Sequence, residues 1–230
     1  MHVRTYLIDL AAAAEPLERA EATLGLLGAD GPLSGDRRLA RIALRLALRA
    51  EGGDGLARQA LTIAPGGKPY LPDADLHFSV SHSGGAALIG LARAAPIGVD
   101  IEAGRTASLT PTRRDGIIDA GRRLSPQPLA GDTHDAQFVC AWTRIEAAAK
   151  AGGAGALAML AWLSGRAAAD PELRRYTLGS PGDLQLDGTA YVVSALPGAP
   201  SSFASVCHPR SHALAAPLGH DALLAESIRR

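Results

Sequence analysis

Three carboxylates and an ammonium in two short segments carry the clearest chemistry of this sequence. The segments are Gly98-Val99-Asp100-Ile101-Glu102 and Trp142-Thr143-Arg144-Ile145-Glu146-Ala147-Ala148-Ala149-Lys150. In an extended strand side chains alternate, so Asp100 and Glu102 share one face, roughly 6–7 Å apart, while Ile97, Val99 and Ile101 point into the core. Two carboxylates so placed repel each other unless a cation sits between them. On a helix Phe138, Trp142, Ile145 and Ala149 form one apolar stripe; Glu146 lies at its edge and Lys150 follows one turn later. If Asp100, Glu102 and Glu146 converge, they supply the oxygen ligands Mg²⁺ prefers, and the set suits a metal-bound pyrophosphate. Each half also has a plain reading. Asp-x-Glu fits a solvated strand face, and Glu146 with Lys150 fits a surface pair worth about 0.2–0.5 kcal/mol.

Phe78-Ser79-Val80-Ser81-His82-Ser83-Gly84-Gly85 is the next constellation. Alternation buries Phe78 and Val80, sets Ser79 and Ser81 opposite, and leaves His82 and Ser83 beside a glycine turn, where hydroxyl, imidazole and backbone N–H groups can meet an anion. Ser81 is not in a Gly-x-Ser-x-Gly elbow, which argues against a hydrolase triad; a satisfied structural histidine is the competing reading of His82. Gly66-Gly67-Lys68-Pro69 offers a loop with close backbone approach and a phosphate-seeking lysine, but not the P-loop pattern. Arg37, Arg41, Arg45 and Arg49 recur every four residues, with Arg38 alongside: a solvated face or an anion-binding wall. His208 and His212 are four apart, yet Pro209 argues against a helical metal pair.

Elements must bring these groups together. The sequence predicts a first strand from Val3, helices over Pro16–Leu27 and Asp36–Arg49, and strands over Leu76–Ser81, Ala86–Ala92 and Ile97–Glu102 joined as an antiparallel meander. After a bridge at Ala103–Pro111 come helices over Thr112–Leu124 and Trp142–Lys150, then strands near Arg174–Leu178, Ala190–Leu196 and Ser202–Cys207. The expected fold is α+β, with two similar lobes over 1–103 and 104–230. Its 230 residues, 47% hydrophobic but only 4% aromatic, suffice for a core built on Ala and Leu. Its 23 basic and 23 acidic residues cancel, which makes nucleic acid a poor partner. Cys140 and Cys207 have no CxxC spacing and fit two reduced thiols of a cytoplasmic protein. The opening segment, broken by Asp9, reads as a strand and not a signal peptide, and no apolar run reaches bilayer-spanning length.

Taken in order, Gly67-Lys68-Pro69, Phe78–Ser83, Gly98–Glu102 and Trp142–Glu146 with Lys150 resemble the signatures of the Sfp-type 4′-phosphopantetheinyl transferases, over about residues 36–155. The resemblance implies two α+β lobes related by a pseudo-twofold, each a small antiparallel sheet packed with helices, with coenzyme A between them. It implies transfer of 4′-phosphopantetheine to a serine of an apo acyl or peptidyl carrier protein, releasing adenosine 3′,5′-bisphosphate. Asp100, Glu102 and Glu146 would hold Mg²⁺, and Glu146 would accept the serine proton. His82 and Lys150 would neutralise pyrophosphate charge. Lys68, Pro69 and Ser81 would line the coenzyme A site, with Arg38 and Arg41 toward the 3′-phosphate. A monomer without nucleic-acid or membrane partners is expected. Four positions depart from the family pattern: Ile145 replaces its lysine, Ser79 its asparagine, Gln127 an acidic residue, and 24–35 carries no basic residue. Two other readings share these features, a coenzyme A or carrier-binding module without catalysis and a Mg²⁺-dependent pyrophosphate hydrolase.

Overall fold

A computed structural model describes residues 1–28, 30–104, 109–166, 171–197 and 202–228 of the chain. The first half runs β1 (His2–Asp9), α1 (Leu10–Leu24), α2 (Gly35–Arg58), β2 (Thr62–Ile63), β3 (Pro69–Tyr70), β4 (Leu76–Ser83), β5 (Ala86–Arg93) and β6 (Gly98–Ala103). The second runs α3 (Pro111–Leu124), α4 (His134–Gly152), α5 (Ala156–Leu163), β7 (Tyr176–Leu178), β8 (Leu184–Leu186), β9 (Thr189–Leu196), β10 (Ser202–Pro209), β11 (Ala213–Leu214) and α6 (His220–Ile228). The fold is α+β, as expected. Of the expected bridge over 103–111, residues 105–108 lie outside the described residues.

Local chemistry sets the helix ends. Asp9 accepts the Ala11 and Ala12 N–H groups at 3.0 Å each, so α1 starts at Leu10 and carries Pro16 inside it, earlier than the proline suggested. Thr133 Oγ1 caps α4 by accepting the Ala136 N–H at 3.1 Å, and Gly153, at φ 85°, closes its far end.

The strands form two main sheets, ordered β11-β1-β5-β4 and β6-β10-β9-β8-β7. β4 and β5 make the expected hairpin, with Val80 opposite Ile89. The expected three-stranded meander does not form. β6 leaves the hairpin and pairs antiparallel with β10, placing Asp100 opposite Ser205. Packing explains the departure: Val99 and Ile101 are fully buried in an apolar layer with Val3 and Leu88 of the first sheet and Val206 of the second. The strand therefore lies between the sheets instead of extending one. Outside that layer, Tyr6, Ile8, Phe78 and Ile89 pack on α1, α2 and α6, while Tyr191, Val193 and Cys207 pack on α3, α4 and α5. The order through the molecule is helices, sheet, sheet, helices.

The chain crosses between these layers twice. β6 enters the C-terminal sheet ahead of the division expected at 103/104. Later β11 returns to pair in parallel with β1, and α6 packs beside it, with Tyr6 donating to Glu226 Oε2 at 2.7 Å.

Candidate functional site

The site starts from a seam between β4 and β6, neighbouring strands joined by side chains and not by a backbone ladder. Ser79 Oγ accepts the Val99 N–H at 3.1 Å. Ser81 Oγ donates to Asp100 Oδ1 at 2.7 Å. Ser83 Oγ donates to Glu102 Oε2 at 2.8 Å and accepts the Ala103 N–H at 3.2 Å. Strand alternation puts all three hydroxyls on one side of β4, which is why Ser-x-Ser-x-Ser can stitch a neighbour.

Helix α4 closes the other side. Gly98 makes this possible, because a Cβ there would lie 1.9 Å from the Ala147 carbonyl oxygen. With strand and helix so close, Lys150 Nζ reaches Asp100 Oδ1 at 2.5 Å, Ser81 Oγ at 3.1 Å and Glu146 Oε2 at 3.3 Å. Asp100 is 1% exposed, and its second oxygen, Oδ2, is buried without a hydrogen-bond partner. Burial pushes the Asp100 carboxyl above its ordinary range, with Lys150 opposing the shift and Glu146 adding to it. Burial works against charge on Lys150 too, but Asp100 and Glu146 outweigh it and keep the ammonium protonated.

The loop before β3 supplies the opposite wall. Gly66 packs on the end of α4, where a Cβ would meet the Gly153 carbonyl oxygen at 1.9 Å. Lys68 then reaches inward and donates to the Ile97 carbonyl at 2.8 Å. Burial pushes its amine down to about 8, and Arg175 and Lys150 nearby add to the effect. Lys68, Pro69, Phe78, Ser79, Glu146 and Lys150 line a single cleft of about 380 Å³.

Other predicted residues fall elsewhere. His82 lies on the same face of β4 as Phe78 and Val80, is exposed, and has no hydrogen bond or ion pair among the described residues. Arg38 is held by Glu18 through two hydrogen bonds of 2.7 and 2.8 Å. Arg41 and Arg45 both clamp Asp30, and Arg45 is fully buried. Arg38, Arg41, Arg45 and Arg49 are thus taken up in ion pairs and do not form an open anion wall, Arg37 is exposed, and none of the five lines a cleft described here. Ile145 is fully buried in the second core, as its place in the stripe predicted. His212 Nε2 sits 3.1 Å from the Arg93 carbonyl and His208 Nδ1 2.9 Å from that of Pro209, so each imidazole has a backbone partner.

Two features escaped the sequence. Arg144, fully buried, donates to the Gln127 and Pro128 carbonyls at 2.9 and 2.8 Å and so fixes the loop after α3. Nothing local in its spacing marks it. The second is an apolar cleft of about 680 Å³ that begins at Glu102 and runs between α3, α4 and α5.

As a metal site the donors fit by chemistry: Asp100, Glu102 and Glu146 are oxygen ligands, and Asp100 Oδ2 lacks any other partner. As they stand, with Lys150 set between Asp100 and Glu146, no three such groups among the described residues are gathered closely enough to hold an ion. No helix among the described residues is long and apolar enough to cross a membrane. Against known proteins, no family model matches the chain, and no curated protein matches it in sequence.

Proposed function

We propose that this protein transfers 4′-phosphopantetheine from coenzyme A to a serine of an acyl or peptidyl carrier protein, in a Mg²⁺-dependent reaction. We also propose that its two sheet-and-helix halves are the two related lobes of the Sfp-type transferase fold. One observation carries the reading: the Gly67-Lys68-Pro69 loop, β4 and α4 border one cleft lined by Lys68, Lys150 and Glu146, and Lys150 there pairs both with Glu146 and with the buried Asp100 of β6. That is a site for a phosphate anion bridged to acidic groups. Neither a solvated strand face nor a surface ion pair predicts a carboxylate buried as deeply as Asp100.

In this reading Lys68 and Lys150 bind pyrophosphate oxygens by charge-assisted hydrogen bonds. Asp100, Glu102 and Glu146 would hold Mg²⁺, which when bound offsets the negative charge of the phosphates. The carrier serine oxygen forms a bond to the phosphorus nearer the pantetheine. The bond from that phosphorus to the bridging oxygen breaks, and adenosine 3′,5′-bisphosphate leaves. Glu146, at the open side of the cleft, accepts the serine proton. Ser81 and Ser83 hold the strand carboxylates in place.

The test is direct. The protein is incubated with coenzyme A, Mg²⁺ and an apo carrier protein, and the carrier is weighed by mass spectrometry. A gain of one phosphopantetheine group that needs Mg²⁺ is expected; an unmodified carrier across several carrier types overturns the assignment.

A further inference from the structure

Of the 23 lysines and arginines in the chain, two are lysines, Lys68 and Lys150, and both line the same cleft. The distinction is chemical. A guanidinium stays protonated and is no nucleophile, whereas an amine can shed its proton and attack a carbonyl carbon. The two amines are held differently. Lys150 Nζ lies against Asp100, Ser81 and Glu146, which keep it charged. Lys68 Nζ makes one hydrogen bond, to the Ile97 carbonyl, and has no ion pair among the described residues. Titratable groups face it from every side: Lys150 and Glu146 on α4, His77 on β4, Arg175 ahead of β7 and Cys207 on β10. Burial, Lys150 and Arg175 all oppose its charge, so at pH 8 roughly a hundredfold more of Lys68 is neutral than of an exposed lysine. Lys68 is partly buried, not sealed, and also borders a second cleft of about 270 Å³.

We infer that Lys68 is an acylation site, modified by acyl phosphates that the cleft itself binds, and that the resulting amide shuts the cleft to phosphate. The inference rests on the phosphate-binding part of the transferase reading. An acyl phosphate carries a partner for each lysine: a phosphate for the Lys150 ammonium and a carbonyl carbon for the Lys68 amine. The Lys68 nitrogen forms a bond to that carbon, and the bond from the carbon to the phosphate oxygen breaks. The freed oxygen takes the proton lost by the nitrogen, and inorganic phosphate leaves. The amide that remains is neutral and cannot regain a charge, so the cleft keeps one cation of its two. A coenzyme A thioester suits this reaction less, because its thioester lies a full pantetheine arm away from the phosphates that the lysines would hold.

The full chain is incubated at pH 8 with acetyl phosphate, with Nα-acetyllysine in the same tube as a free-amine reference, and the acetyl groups are located by peptide mass mapping. Lys68 should be acetylated at least about tenfold faster than the reference, from its larger neutral fraction, while Lys150 stays unmodified. Excess pyrophosphate should suppress the reaction at Lys68 and not at the reference. Acetylimidazole, a donor without phosphate, should discriminate less between Lys68 and the reference than acetyl phosphate does. The acetylated protein should bind pyrophosphate at least about tenfold more weakly in titration calorimetry, as the loss of one charge-assisted contact requires. A Lys68 that reacts no faster than the reference, modification at Lys150 instead, equal discrimination by both donors, or unchanged pyrophosphate affinity after acetylation each overturns the inference. If Lys68 is acetylated as expected and no carrier gains phosphopantetheine, the transferase reading fails and the acylation site stands. If transfer proceeds and Lys68 is inert, the acylation site alone fails.

Discussion

At the scale of single residues, the site depends on charges placed where water is scarce. Lys68 shows the cost. Its amine is pushed down to about 8 from an ordinary 10.5, so between those values the unfolded chain binds more protons than the folded one, and folding stability rises with pH across that window. Cys207, pushed up to about 12 by burial, works in the opposite direction above its ordinary value of 9. The two effects separate in a comparison of wild type with Lys68→Met by urea denaturation from pH 7 to 11. The wild type should gain on the variant from about pH 8 to 10.5; a constant difference would mean that Lys68 titrates as an exposed lysine does. Ile145 makes the complementary point. Ile145→Lys places an ammonium at a fully buried position and should lower stability by about 3 kcal/mol, seen as a shifted denaturation midpoint. A transfer rate that rises at unchanged midpoint would show that the position tolerates the charge. For catalysis, Asp100→Asn and Glu146→Gln should each cost at least a hundredfold in transfer, with circular dichroism unchanged. Near-wild-type turnover in both would remove these carboxylates from the chemistry.

At the scale of elements, the clefts exist because backbones approach closely where side chains are absent. Gly98→Ala would push β6 off α4 against the Ala147 carbonyl; a loss of about 1–3 kcal/mol and a large drop in transfer are expected, measured by thermal melting and by carrier mass. The seam is equally exposed to a small change. Ser79→Ala leaves the buried Val99 N–H without its acceptor and should cost about 1–3 kcal/mol. A neutral result would mean that water or a shift of β4 replaces the bond. Much of this level was legible beforehand. The β4–β5 hairpin, α3, the Trp142–Lys150 helix and strands β9 and β10 follow from periodicity and turn residues, and alternation placed Asp100 with Glu102 and Ser79 with Ser81. The partner of β6 was not legible, because a short apolar strand after a turn looks the same whether it extends its hairpin or leaves it. The arginine helix misled for a related reason. Spacing shows which residues share a face, but Glu18 and Asp30, which consume Arg38, Arg41 and Arg45, come from α1 and the loop after it.

At the scale of the whole molecule, the four layers are interleaved along the chain. Removing residues 218–230 would strip Leu223, fully buried, and the Glu226 partner of Tyr6 from the first core. Hydrogen exchange should then report lost protection in β1 and α2 before β9 and β10; uniform loss would show that the two cores open together. The same interleaving bears on how the protein could be taken apart. A fragment of residues 1–104 carries β6, the edge strand of a sheet whose other members all come later. A fragment of 109–230 carries β11 and α6, which complete a core whose other members all come earlier. Each piece holds a part that only the other can bury. Expressed as separate polypeptides, they should recognise one another and reassemble, co-eluting as one particle and recovering transfer activity that neither has alone. The sequence would then serve as a two-part reporter, in which bringing two tagged proteins together restores the lysine-and-carboxylate cleft.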